Sequence, residues 1–134
     1  MIEAQRQEPK ALQPQYRVLI ADDEVAVREA MRALLEHDAR FRVVASVGSA
    51  DEAAAVAEEL RPELAVVDVR MPGGGHRAVT AIRERSPDTV VVVCTSYDDS
   101  HTRESLTAAG AAAFVVKGSH DLLGAVQAVL PVTD

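Results

Sequence analysis

Aromatic side chains are scarce in this sequence: Phe and Tyr make up 3% of its 134 residues, and Trp is missing. A core without rings has to be built from Val, Ala, Leu and Ile. Cysteine is nearly absent too, and Cys94 has no second thiol for an internal disulfide, so nothing points to an oxidising compartment. No apolar run approaches the ~20 residues that cross a bilayer. Positive charge is in short supply, with 14 Lys and Arg against 21 Asp and Glu and a net charge of -7. That balance argues against sustained contact with nucleic acid, which calls for a basic stripe. Met1 to Gln15 is polar, contains Pro9 and Pro14, and resembles no signal peptide. The expectation is one soluble cytoplasmic domain without a membrane partner.

What is present is regular. Residues 1–15 lack periodicity and read as a disordered tail, residues 16–131 as the domain, and residues 132–134 as the C-terminal end. Within the domain, short apolar runs alternate with longer amphipathic stretches. The runs are Val18–Ala21, Phe41–Val47, Leu64–Val67, Val90–Cys94 and Ala112–Val116. Most are continuous and β-branched, as expected for parallel strands covered on both faces. Phe41–Val47, carrying Arg42 and Ser46, is the most polar and suits a sheet edge.

The intervening stretches predict helices. Val27, Met31 and Leu34 form the apolar stripe of the first. Ser49 and Glu52 make a capping-box signature for the second, whose buried face is expected from Ala53, Val56 and Leu60 before Pro62 stops it. Val79 and Ile82 mark the third, which ends near Ser86-Pro87. The fourth, Ser100 to Ala109, has Leu106 as its one large apolar residue and should be the least firmly anchored. Leu122, Val126 and Val129 mark the fifth, with Ser119 as its N-cap. Five βα units predict a doubly wound α/β fold, flavodoxin-like, with a parallel five-stranded sheet in the order 2-1-3-4-5.

Polar residues follow four of the five runs. Asp22-Asp23-Glu24 follows the first, Asp68 the third, Thr95-Ser96 the fourth and Lys117 the fifth. Ligands of open parallel sheets bind beyond the carboxyl ends of the strands, where strand order reverses. That point lies between the first and third strands, which groups Asp22, Asp23 and Asp68 with Thr95 and Lys117 beside them. Clustered carboxylates repel unless a cation joins them, and Mg²⁺ accepts one or two carboxylates, keeps several waters and leaves room for phosphate oxygens. An aspartate can also act as a nucleophile toward phosphorus, with a lysine and a hydroxyl engaging the transferred group.

These residues in this order resemble the response-regulator receiver domains of bacterial two-component signalling. The likeness runs from about Arg17 to Leu130. Its signature elements are the acidic pair, Asp-x-x-Met-Pro at Asp68–Pro72, Thr95, and Gly110-Ala111 leading to Phe114 and Lys117. The resemblance implies phosphoryl transfer to Asp68 from a sensor histidine kinase, a phosphotransfer protein or a small phosphodonor. It implies Mg²⁺ held by Asp22, Asp23, Asp68 and the Arg70 backbone carbonyl, with Thr95 and Lys117 on the phosphoryl group and Thr95 and Phe114 as the switch pair. It further implies an output domain or partner, control of transcription among the outputs, phosphorylation-dependent homodimers, and no catalysis beyond the domain's own phosphorylation and dephosphorylation.

Two features depart from that pattern. Gly73-Gly74-Gly75 follow Met-Pro at once and His76 takes the position where a glycine is usual, so the loop is expected to be unusually flexible. Lys117-Gly118 stands where Lys-Pro is usual, which leaves the peptide isomer open. His37, His76, His101 and His120 lack metal-ligand spacing and read as surface residues, and Cys94 as a buried inert thiol. Two other functions stay open at this point: a Mg²⁺-dependent phosphatase of the haloacid-dehalogenase type, and a docking domain that works without phosphorylation. No effector segment follows the fifth helix within these residues. The domain is therefore expected to stand alone or to form the N-terminal piece of a longer transcription factor or enzyme.

Overall fold

Continuous Val- and Leu-rich runs can be buried on both faces, and that is where the strands lie. The computed structural model describes residues 15–96, 99–118 and 121–130. The strands are β1 (Tyr16–Ala21), β2 (Phe41–Val47), β3 (Leu64–Asp68), β4 (Val90–Thr95) and β5 (Ala113–Val116). They form one parallel sheet in the order β2-β1-β3-β4-β5, with the polar β2 at an edge as expected. Every residue of β3 is buried, which puts the central strand and its terminal Asp68 out of water.

Helices α1 (Val25–Glu36), α2 (Ala50–Leu60), α3 (Gly75–Arg85), α4 (Ser100–Ala109) and α5 (Leu122–Val129) cover the sheet. Alternate residues of each strand feed two cores. Leu19, Ala65, Val67, Val91 and Val93 pack under α2, α3 and α4, while Val18, Ile20, Leu64, Val66 and Val92 pack under α1 and α5. No helix among the described residues is long and apolar enough to cross a membrane.

Side-chain placement differs from expectation on two helices. On α1 the fully buried residue is Leu35, and Leu34 is 36% exposed. Val27 and Met31 face the core as expected, and Leu34 lines an apolar groove of about 500 Å³ between α1 and α5. On α2 the buried face is Ala50, Ala53, Ala54 and Ala57, with Val56 and Leu60 only half-buried. Small residues let α2 sit close to the loop after β3, where a Cβ on Gly73 would come within 2.7 Å of the Ala50 Cβ. On α5, Leu122 and Val126 are buried and Val129 half-buried. Asp121 holds the N-cap position of α5; the expected cap, Ser119, lies outside the described residues, as do His120 and the tail up to residue 14.

The helix ends otherwise follow local chemistry. Ser49 Oγ accepts from the Glu52 N–H at 3.2 Å, and Glu52 Oε1 accepts from the Gly48 N–H at 3.0 Å, a capping box shifted back by one residue. Arg61, in the left-handed conformation at φ 46°, caps α2 just ahead of Pro62. Leu106 is the one buried residue of α4.

Burial at α1 decides between adjacent leucines. Leu35→Ala should cost about 2–5 kcal/mol in urea unfolding, whereas Leu34→Ala should cost less than about 1 kcal/mol. Equal losses would contradict the phase of α1 described above.

Candidate functional site at the strand ends

The sheet order decides which side chains meet. Beyond β1, Asp22 is fully buried while Asp23 is exposed. The Asp22 N–H still donates to the Val47 carbonyl at 3.0 Å, so β1 and β2 stay joined up to this residue. Its Oδ1 accepts from the Glu24 N–H at 2.9 Å, which closes a tight turn into α1. Glu24 holds the N-cap position of α1, so neither aspartate serves as the cap. The Asp22 Oδ2 is buried without a hydrogen bond of normal geometry and faces the Lys117 ammonium at 2.8 Å.

Asp68 ends β3 and is 3% exposed. The Lys117 ammonium lies 3.1 Å from its Oδ1. To get there the side chain crosses the end of β4, a reach its four-carbon stem allows. The Lys117 N–H donates to the Thr95 carbonyl at 2.8 Å and fixes where the stem starts. The Lys117-Gly118 bond is trans, and Gly118 takes a φ of 84°.

Opposing effects set the charges of this group. Burial pushes the Asp68 carboxyl above its ordinary pKa; the hydrogen bond with Lys117 works against that, and the Asp22 charge adds to it. Burial would lower the Lys117 pKa, but Asp22 and Asp68 outweigh it and hold the ammonium above its usual range. Burial also pushes the Cys94 thiol up to about 11, which makes it a poor nucleophile at neutral pH.

Asp22, Asp23 and Asp68 each offer a carboxylate oxygen, and these atoms lie within 4.8 Å of one another. The set is all oxygen, it is rich in negative charge, and it includes a buried oxygen short of partners. A hard divalent cation such as Mg²⁺ fits that chemistry. His37, His76 and His101 are exposed and take no part in such a group among the described residues.

Thr95, at the end of β4, is 6% exposed. It lines a cavity of about 370 Å³ together with Val69, Arg70, Asp99 and Thr102. Asp99 caps α4, accepting from the His101 N–H at 3.1 Å and from the Thr102 hydroxyl at 3.0 Å. Arg70 is exposed in the loop after Asp68. Phe114 stands apart from the carboxylates on β5, half-buried, with the Arg103 guanidinium 5.0 Å from its ring centre.

Sequence reasoning missed two features. The loop glycines are needed for close approach, since a Cβ on Gly75 would come within 2.7 Å of the Val69 Cα and 3.1 Å of the Asp68 carbonyl. The loop is also tied down, with the Gly75 N–H on the Val69 carbonyl at 3.0 Å and the Ala50 N–H on the Pro72 carbonyl at 2.9 Å. The second is Arg28 of α1, which donates to the Asp22 carbonyl at 2.7 Å. No side-chain pattern in the sequence signals it, because its partner is a backbone carbonyl.

Comparison with known proteins agrees with this fold. The family model described as response regulator receiver domain matches residues 18–127. The response regulator GacA of Pseudomonas viridiflava is 35% identical over 114 residues, covering 84% of this chain and 53% of GacA. A protein-glutamate methylesterase/protein-glutamine glutaminase 2 of Paramagnetospirillum magneticum is 33% identical over 106 residues, covering 78% of this chain and 30% of that protein. The chain thus spans about half or less of the length of these curated relatives. Among solved structures, a LuxR-family two-component response regulator from Aurantimonas sp. SI85-9A1 superposes with a TM-score of 0.81 at 31% identity, over 86% of this chain and 84% of the other. The response regulator domain of Thermotoga maritima CheB superposes equally well, TM-score 0.81, over 90% of this chain and 99% of that one. Its 22% identity speaks for the fold alone.

The raised pKa of Asp68 makes a signed prediction. The folded protein holds this proton more tightly than the unfolded chain, so the ionised carboxylate costs stability once pH rises through the folded pKa. In chelator at neutral pH, Asp68→Asn should therefore be more stable than the wild type. The gap should close as pH falls through the carboxylate range, read by urea unfolding at a series of pH values.

Proposed function

The chain belongs to the response regulator receiver domain family, and from that premise we propose that Asp68 is its phosphoryl acceptor. The observation that carries the proposal is the placement of one ammonium, Lys117, at 2.8 Å from Asp22 and 3.1 Å from Asp68 at the strand ends. Asp22, Asp23 and Asp68, with the Arg70 backbone carbonyl, would hold Mg²⁺. When bound, the ion screens the negative charge of the carboxylates and of phosphate oxygens.

The chain's own residues then have distinct tasks. An Asp68 carboxylate oxygen attacks the phosphorus of a phosphohistidine, on a sensor histidine kinase or a phosphotransfer protein. The P–O bond to Asp68 forms as the P–N bond breaks, and the leaving imidazole keeps the electron pair and takes up a proton from solvent. The Lys117 ammonium is already in place to neutralise charge on the incoming group, which is the main contribution a protein makes to such a transfer. The Thr95 hydroxyl, at the wall of the adjoining cavity, donates to a phosphoryl oxygen. Its inward movement lets the Phe114 ring follow and shifts the β4–α4–β5 face, where Leu106 alone buries α4.

The output follows from that face. A partner protein or an output domain of a longer regulator reads the shift, transcription control being one outcome and a phosphorylation-dependent homodimer another. The domain itself makes no contact with nucleic acid in this reading, and it works in the cytoplasm. With Asp68 after β3 as the nucleophile, the haloacid-dehalogenase alternative lacks its usual Asp-x-Asp after β1, where this chain has Asp22-Asp23.

Intact-mass analysis with Mg²⁺ and a small phosphodonor tests the assignment. The wild type should gain a single phosphoryl adduct that Asp68→Asn does not. An undiminished adduct on the variant would remove Asp68 from the role, and sustained ester turnover would point to a phosphatase.

A further inference from the structure

Arg28 stands at the back of the acidic turn. It projects from α1, half-buried, and its guanidinium donates to the Asp22 carbonyl at 2.7 Å. That carbonyl lies beyond the end of β1. The other polar groups of Asp22 are already engaged: the N–H by Val47, Oδ1 by Glu24 and Oδ2 by the Lys117 ion pair. The hydrogen bond from Arg28 is therefore the one that pins the backbone of the turn from the helix side.

The guanidinium has a prepared seat. A Cβ on Gly48 would lie 3.4 Å from the Arg28 Nη1, 3.8 Å from the Asp23 Cα and 3.9 Å from the Asp22 carbonyl oxygen. The end of β2, the acidic turn and Arg28 thus converge on one point, where a Cβ at Gly48 would meet all of them in ordinary van der Waals contact. The Gly48 N–H is itself held by Glu52 Oε1 at 3.0 Å, so the seat is anchored to α2.

Arg28 spends its charge on a carbonyl rather than on a carboxylate. Among the described residues it forms no ion pair within 4.0 Å, so its charge does not compete with another cation for the carboxylates of Asp22 and Asp23. A guanidinium paired directly with Asp23 would compete with a metal. One bonded to the backbone steadies the turn without competing.

We propose that Arg28 is a positioning residue for the cation site, holding the Asp22–Asp23 backbone so that both carboxylates converge on one ion. This rests on the Mg²⁺ reading given above and adds a residue to it. Like-charge repulsion makes the opposite prediction, since removing a nearby cation would then tighten Mg²⁺ binding. The sign of the effect therefore separates positioning from simple electrostatics.

The test is Mg²⁺ affinity by isothermal titration calorimetry on the wild type, Arg28→Gln and Arg28→Lys, with urea unfolding of each in chelator. Arg28→Gln should bind Mg²⁺ roughly tenfold more weakly, the effect of losing one charged hydrogen bond. Arg28→Lys, which keeps a charged donor, should recover most of the affinity, and unfolding midpoints in chelator should stay close to that of the wild type. Equal or tighter binding by Arg28→Gln would overturn the positioning role while leaving the metal reading intact. A loss of affinity that tracks a loss of stability would also overturn it, because the role would then be structural. A wild type that binds no Mg²⁺ would overturn both.

Discussion

The Lys117 ammonium sits between two carboxylates, Asp22 and Asp68, that are withdrawn from water at the ends of neighbouring strands. Burying like charges side by side is costly unless a counter-charge joins them, and removing that counter-charge leaves the carboxylates uncompensated. Much of the local structure serves that requirement. β4 and β5 are tied at their ends by the bond from the Lys117 N–H to the Thr95 carbonyl, which sets the origin of the lysine stem. The Glu24 N–H holds Asp22 Oδ1 in the turn after β1, and the Gly75 N–H closes the turn after β3 on the Val69 carbonyl.

The three helices on one face of the sheet treat this site differently. α2 and α3 approach it closely through alanines and glycines, and their packing leaves little room for adjustment around Ala50, Gly73 and Gly75. α4 is attached through Leu106 and through the Arg103 guanidinium over the Phe114 ring. A stacked cation and a single leucine are modest anchors beside the four buried residues of α3. A rigid floor and one lightly held wall is an arrangement that can transmit a local change in charge to a surface.

How much was legible in the sequence depended on whether one residue carried the information or several did. The strands were legible because uninterrupted β-branched runs have few other uses, and the sheet order followed from the count of βα units. The convergence of Asp22, Asp68 and Lys117 was legible for the same reason, since strand ends in a known order have known neighbours. The phase of α1 was not, because Leu34 and Leu35 both fit an apolar stripe and only the seat of α5 chooses between them. The face of α2 was misjudged because large residues were expected to mark burial, whereas close approach to Gly73 needs small ones. Arg28 was invisible because its partner is a backbone carbonyl, which no side-chain pattern reveals.

The role given to Lys117 is open to a direct measurement: urea unfolding of the wild type and Lys117→Met, each in chelator and in saturating Mg²⁺. Without the ammonium, Asp22 and Asp68 face each other uncompensated, so the variant should lose about 3 kcal/mol in chelator. Mg²⁺ should then restore more stability to the variant than it adds to the wild type. A variant as stable as the wild type in chelator, gaining nothing further from Mg²⁺, would contradict the account.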